Sequence, residues 1–581
     1  MFEITKYFLP AACFLLITVF FMLLPDLRTC GLSGGTRRMD RADWLVVAGV
    51  TLVYAVAAFM GLGNTASPES FVRMENETAQ FGLDPDGGAA AKLMIFSGVG
   101  IGDYSIDYTD TDGHNLHLAE LEQSHGDVLK WHEVALEQPV TGGTLRILGR
   151  GNVWLGEVVA KTEDGETIAL SASHPELADE QALCPKRQTF MNSSYFDEIY
   201  HARTAWEQLN GVYPYEITHP PLGKAIIGLG IKLFGMTPFG WRFSGTLFGV
   251  LMLPILYYFA KKLFGGRITP AACMILMATD FMHFVQTRIA TIDTYAVFFI
   301  LLMYLYMYLF VSEGRLRDLA LCGVSFGLGA ASKWTCFYAG AGLAVIWALW
   351  VIREARAGRL DFRGFVKNAL FCVVFFILVP GLIYYLSYIP YGAAQGKTNL
   401  FSRDYLNIVL DNQRYMFNYH SQLVATHPYS SHWYQWLLDI RPILYYLDYL
   451  ADGRTVSFGA FVNPVLCWGG LLALFVLGYL SAARRAKVSA FILLGYLAQL
   501  LPWVLVPRLT FAYHYFPCTV FLALALGRCF DLMERNVRYG KLYVDGFVLL
   551  STAVFVLFFP VLAGIPVGRS ILRSWLPTWP F

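Results

Sequence analysis

Two acids stand side by side in the run Tyr195-Phe-Asp-Glu-Ile-Tyr-His-Ala-Arg203, and Thr218-His-Pro-Pro-Leu-Gly-Lys224 follows soon after. Asp197 and Glu198 lie where a polar stretch hands over to a long apolar array. Adjacent carboxylates at a bilayer surface are costly to hold unless they meet a cation or a proton to abstract. Successive helical residues point about 100° apart, so only one of the pair can aim squarely at a given substrate atom. The same two acids also fit the start of a helix after Ser193-Ser194, where the helix dipole favours negative charge.

Basic groups recur at the ends of the apolar runs. Arg242 begins one, Arg288 and Asp293 share the turn Thr287-Arg-Ile-Ala-Thr-Ile-Asp293, Lys333 lies in Ala331-Ser-Lys-Trp334, and Arg508 and His514 lie in Pro507 through Pro517. A charge at mid-bilayer costs about 2.5–3.5 kcal/mol even on the gentlest scale, and a long side chain near a helix end escapes part of that. Singly, each of the five cations reads as an interface anchor. Together on one leaflet they suit a lipid-linked phosphate or diphosphate. His427 and Trp433, in Thr426-His-Pro-Tyr-Ser-Ser-His-Trp433, fit either an aromatic belt or a platform for a sugar ring.

The elements that position these groups are mostly membrane helices. Of the 581 residues, 56% are hydrophobic and 15% charged, well below the roughly 25% charged of a soluble domain. Apolar runs near residues 8–24, 43–63, 241–260, 269–287, 291–311, 317–332, 335–352, 368–389, 462–481, 488–506, 511–529 and 544–566 give about twelve spans. Leu222 to Phe234 is too short to cross and contains Lys224 and Lys232, so it reads as a helix in the interface plane. The basic loops at Arg37-Arg38-Arg41, Lys261-Lys262-Arg267, Arg315-Arg317, 353–367, Arg484-Arg485-Lys487 and Arg535-Arg538-Lys541 all fall on one side, which the charge rule makes cytoplasmic. Residues 64–240 and 390–461 then face outward.

The 64–190 stretch differs in kind. Short alternating runs such as Leu145-Arg-Ile-Leu148 are separated by Asp86-Gly87, Asp112-Gly113, Gly142-Gly143 and Asp164-Gly165. That spacing predicts an inserted extracytoplasmic β-sandwich-like domain. The chain thus divides into 1–42 with an extra N-terminal helix, a first core helix at 43–63, the 64–190 insertion, a catalytic loop and helices at 191–389, a second outer loop at 390–461 and C-terminal helices at 462–581.

Several functions lack support. A net charge of +1 carries no basic stripe for nucleic acid. The cysteines fall almost wholly in apolar segments, without disulfide or metal-ligand spacing. Nucleotide-binding glycine loops and His-Glu-x-x-His are missing. A twelve-helix transporter would place its charges near the midplane on repeated halves, whereas these cluster at helix ends and no repeat is visible.

The motifs Tyr195 to Arg203, His219-Pro-Pro-Leu-Gly-Lys224, Trp241-Arg-Phe243, Arg288 to Asp293, Ser332-Lys333, His427 to Trp433 and His514-Tyr-Phe-Pro517 occur in one order. In that order they resemble the dolichyl-phosphate-mannose–protein mannosyltransferases, of the GT-C membrane glycosyltransferase fold, over residues 43–566 without the 64–190 insertion. The resemblance implies inverting transfer of mannose, or another hexose, from a polyprenyl-phosphate carrier to Ser or Thr hydroxyls of proteins at the outer face of the cell membrane. Asp197 would then deprotonate or orient the acceptor hydroxyl, and Glu198 would position acceptor or donor. Arg242 matches the family arginine in the second span of an eleven-helix core. With Lys333, Arg508 and His514 it would stabilise the leaving lipid phosphate, while His219, Lys224, Arg288, Asp293, His427 and Trp433 would support the site.

The donor is the lipid-linked sugar itself, and use of a divalent cation is left open. The 390–461 loop is too short for the β-trefoil domain of eukaryotic members, which points to a bacterial-type protein. The acceptor is also open: a same-fold transferase acting on a lipid or a cell-wall polymer is the alternative.

Overall fold

The computed structural model of the chain describes residues 2–25, 27, 38–568 and 575–579; Arg37 of the first basic loop lies outside them. Two compact units are present. One comprises residues 1–60, 216–225 and 245–581, the other residues 61–215 and 226–244.

The smaller unit contains an antiparallel eight-stranded sheet. Its strands are β1 (Val72–Met74), β2 (Thr78–Leu83), β3 (Ala90–Thr109), β4 (Asn115–Gln123), β5 (Lys130–Val140), β6 (Thr144–Lys161), β7 (Thr167–Ile168) and β8 (Leu170–Ala172). The turn signals read from the sequence fall at the reversals: Gly87 N–H donates to Asp84 O, Gly113 N–H to Asp110 O and Gly165 N–H to Thr162 O. Between β5 and β6, Gly142 and Gly143 both take positive φ, which glycine adopts without a Cβ penalty.

Instead of two separate sheets, β3 and β6 run the length of the domain as one pair. β5 pairs with the first half of β3 and β4 with the second. Register shifts between Phe96 and Gly100 mark the change, as bulges do where a sheet bends. Both halves supply one core, with Leu93, Ile95, Tyr104, Ile106, Leu145, Ile147, Val153 and Leu155 among its members. The alternate residues Met94 and Phe96 face the other way and pack with Trp131 and Val159.

Every apolar run expected to cross the membrane is helical. Among the described residues nine helices are long and apolar enough to span, or ten if the bent pair Ile268–Ala278 and Phe281–Thr287 is one span. The remaining two expected segments are the helices Phe8–Met22 and Leu316–Ser332, the second of 17 residues. At the 55° bend of the pair, Asp280 caps the second helix and also accepts the Asn463 N–H at 3.0 Å. This joins the break to the start of Pro464–Arg484. Ser402 caps an amphipathic helix, Arg403–Gln422, in the 390–461 loop, and Ile443–Tyr449 pairs with Thr455–Ala460 as a hairpin.

Candidate active site

In the smaller unit the two acids have opposite surroundings. Asp197 is half-buried and stands at the N-cap of the helix Glu198–Leu209. Its carbonyl accepts the His201 N–H at 3.0 Å, but its carboxylate makes no capping bond to the helix. The preceding residue, Phe196, adopts φ 47°. A non-glycine residue in that left-handed region costs of order 1–2 kcal/mol and persists only where neighbours fix it. Those neighbours are visible: Ser194 N–H donates to Leu129 O at 3.1 Å, and Ser194 Oγ donates to Val128 O at 2.7 Å.

Glu198, by contrast, is fully enclosed. Its Oε1 accepts Arg242 Nε at 2.7 Å, and its Oε2 accepts Arg242 Nη2 at 2.8 Å and the Tyr195 N–H at 3.3 Å. Arg242 also donates from Nη1 to Leu62 O at 2.8 Å and from Nη2 to Ser193 O at 3.0 Å, and its guanidinium lies 4.8 Å from the Tyr195 ring centroid. Gly63 permits this approach, since a Cβ there would sit 2.9 Å from Arg242 Nη1. The arrangement uses the planar fork of arginine to fasten the segment that carries Asp197.

The helix continues the pattern. Arg203 Nε meets Glu207 Oε1 at 2.8 Å, and Glu207 Oε2 accepts the Tyr215 N–H at 2.6 Å. Burial raises the Glu207 carboxyl above its usual range, against the pull of Arg203.

In the larger unit Lys224, fully buried, donates to Glu216 Oε2 at 2.5 Å, to Glu216 O at 2.8 Å and to His219 O at 2.9 Å. Glu216 Oε1 also lies 3.0 Å from His219 Nδ1. His420 Nε2 is 2.8 Å from Thr218 O, and its ring meets that of His219 edge to face at 5.2 Å. Burial, then the nearby His219 and Arg508, pushes the His420 imidazole down to about 4. Burial likewise lowers His219, against the carboxylate of Glu216 and with help from Lys333 and Lys224.

Lys333 pairs with Asp293 at 2.6 Å and lies 5.6 Å from the Tyr513 ring centroid. Arg508 is half-buried, and its one hydrogen bond goes to the neighbouring Leu509 carbonyl at 3.4 Å. Among the described residues it meets no carboxylate. Lys333 and Arg508 both act on His420, so two fixed cations share this neighbourhood with Asp293. The local charge is positive and fits an anion.

Other expected site residues are engaged elsewhere in the same unit. Arg288 donates to Ala58 O at 3.0 Å, Met60 O at 2.8 Å and Leu562 O at 3.5 Å. It therefore satisfies the carbonyl ends of helices Arg41–Phe59 and Gly540–Ala563. His427 packs edge to face on Phe511 at 5.1 Å. Trp433 is half-buried at the start of a short helix, whereas Trp436 is buried and stacks 6.1 Å from His514. Ser431 and Thr510 bind each other twice, through Ser431 N–H to Thr510 O at 2.9 Å and Thr510 Oγ1 to Ser431 O at 2.7 Å. That doublet straps the 390–461 loop to the Arg508–His514 segment.

Two family models match the chain, together over more than half of it. The one described as dolichyl-phosphate-mannose-protein mannosyltransferase covers residues 218–384, and the C-terminal four-helix region of protein-O-mannosyltransferase covers residues 405–579. The chain belongs to the protein O-mannosyltransferase family. It is a glycosyltransferase of the GT-C fold.

Its similarity to the polyprenol-phosphate-mannose–protein mannosyltransferase of Mycolicibacterium smegmatis is 27% identity over 451 residues, 66% of this chain and 87% of that one. The enzyme of the same description from Mycobacterium tuberculosis is 25% identical over 454 residues, 66% of this chain and 86% of that one. The Saccharomyces cerevisiae protein O-mannosyltransferase Pmt1-Pmt2 complex, solved bound to the sugar donor, superposes with a TM-score of 0.59 at 14% identity, covering 67% of this chain and 89% of that one.

Within this mannosyltransferase His219, Lys224, Arg242, Arg288, Asp293 and Lys333 fall in the first matched range, and His427, Trp433, Arg508 and His514 in the second. Asp197 and Glu198 precede both. Sequence reasoning missed Glu216, His420 and Trp436. A glutamate three residues before a histidine and eight before a lysine was the available sign of Glu216; His420 and Trp436 carry none.

Proposed function

We propose that this protein transfers a mannosyl residue from a polyprenyl-phosphate carrier to Ser or Thr hydroxyls of proteins, at the extracytoplasmic face of the cell membrane. The observation that carries the reading is the cation excess around Lys333 and Arg508, with Asp293 the carboxylate that Lys333 meets. A lipid phosphate supplies the missing negative charge, and its charge grows as the sugar departs.

In an inverting displacement the acceptor oxygen attacks the anomeric carbon while the bond to the phosphate oxygen breaks. The electron pair leaves on the phosphate, where Lys333 and Arg508 stabilise it. The hydroxyl proton goes to Asp197, half-buried at the start of its helix. A well-placed base contributes about 10²–10⁴-fold. Glu198 and Arg242 serve as positioning residues, because their side chains hold each other and the backbone on either side of Asp197. His219 and His420 remain neutral near pH 7, since burial and neighbouring cations oppose a further positive charge.

Lys and Arg thereby take the charge-neutralising part that a divalent cation has in other phosphate chemistry. Among the described residues, the groups of three converging acid, histidine or cysteine ligands lie in the β-domain, away in sequence from both matched ranges. Mass spectrometry of secreted proteins from a deletion strain tests the acceptor. Loss of hexose from Ser and Thr is expected; unchanged protein hexose with an altered lipid or wall polymer would move the activity to those acceptors.

A further inference from the structure

The β-domain contains a carboxylate cluster that the transfer reaction does not use. Glu157 lies on β6 opposite Phe96 of β3. Its neighbours Leu155 and Val158 turn into the main core, and Glu157 turns to the opposite face with Val159. The segment after β8 brings Asp179 and Glu180 there, and one carboxylate oxygen from each of the three residues lies within 4.8 Å of the others.

Glu157 is 0% exposed. Its Oε2 accepts the Glu180 N–H at 3.1 Å, but its Oε1 is buried without a hydrogen-bond partner. Glu180 Oε2 accepts the Glu69 N–H at 3.0 Å and the Ser70 hydroxyl at 3.4 Å, which fixes the cluster on a second side. Among the described residues none of the three carboxylates enters an ion pair. Lys161, the next cation along this face, lies beside the Cys184 thiol. Burial, with Asp179 and Glu180 adding to it, pushes the Glu157 carboxyl up to about 8. A carboxyl enclosed beside two others is ionised at neutral pH only with a counter-charge.

We propose that Glu157, Asp179 and Glu180 bind a calcium ion. The donors are all oxygens, and atoms no more than 4.8 Å apart can share one ion at bonds of about 2.4 Å. Magnesium requires shorter bonds and a stricter octahedron. The ion would pin the strap of residues 175–184 to β6, just ahead of the segment that carries Asp197. Asp110, Asp112 and His114 form a second cluster, exposed at a turn, and provide a control.

The full-length protein in detergent, stripped with a chelator, is titrated with calcium chloride by calorimetry and by thermal unfolding. One ion per chain and a raised Tm are expected, with weaker effects from magnesium chloride. Asp179 is exposed, so D179N folds even if E157Q does not; D179N should weaken calcium binding at least about tenfold, as loss of a ligand does. D110N should leave it unchanged. No calcium response in the wild type, or wild-type affinity in D179N, would overturn the proposal. Equal affinity for magnesium would overturn the choice of calcium.

Discussion

Glu198 and Arg242 meet fork to fork at 2.7 and 2.8 Å, and both side chains are closed off from solvent. Removing one member leaves the other charge buried, which typically costs 3–5 kcal/mol, roughly, in such a setting. Glu198→Ala should therefore lower Tm sharply in detergent. The double variant E198L/R242M, apolar and of similar volume, should recover much of that stability without recovering transfer, because nothing then fastens the Asp197 segment. Recovery of activity with stability would show that the pair only holds the fold.

Asp197→Asn keeps the shape and removes the charge. The expected result is a fall in kcat of about 10²–10⁴-fold with Tm and donor binding nearly unchanged. Activity within about tenfold of wild type would exclude Asp197 as the base.

The two acids illustrate what the sequence could and could not disclose. Their adjacency implied that only one could reach a substrate, and the structure separates them into a half-buried residue and an enclosed one. Which cation meets Glu198 was not legible, since Arg242 lies 44 positions away and no periodicity links them. Arg242 was expected on the donor phosphate, but its hydrogen bonds run to Glu198, Leu62 and Ser193. Arg288 was likewise visible as a charge in a turn, but its carbonyl partners belong to helix ends that only folding brings together. The apolar runs and the glycine turns were plain because length and left-handed backbone are local properties. The single eight-stranded sheet was hidden because strand pairing is not.

Lys333 and Arg508 should separate in their effects. Arg508 meets no carboxylate among the described residues, so Arg508→Ala should weaken donor binding about tenfold or more while sparing Tm. Lys333→Met strands Asp293, which the second change Asp293→Asn relieves. The double variant should regain stability but not donor affinity. Unchanged donor affinity in both Arg508→Ala and K333M/D293N would remove the phosphate site from this region.

The buried imidazole of His420 gives a pH signature. Its folded value is about 4 against an ordinary 6.5, so the unfolded chain takes up a proton that the folded chain refuses across that window. The stabilisation present above pH 6.5 is lost as pH falls towards 4, and His219 adds in the same direction. Tm should drop on acidification, less steeply in His420→Asn. An identical slope in that variant would contradict the assignment.

The central claim is tested most directly by incubating the purified protein, in liposomes, with polyprenyl-phosphate-mannose and a Ser/Thr-rich peptide, and reading peptide and lipid by mass spectrometry. The account predicts hexose on the peptide hydroxyls from the wild type, none from Asp197→Asn although that variant still binds the donor, and little from Arg508→Ala. Peptide that stays unmodified while the donor is consumed, or full transfer by Asp197→Asn, would contradict it.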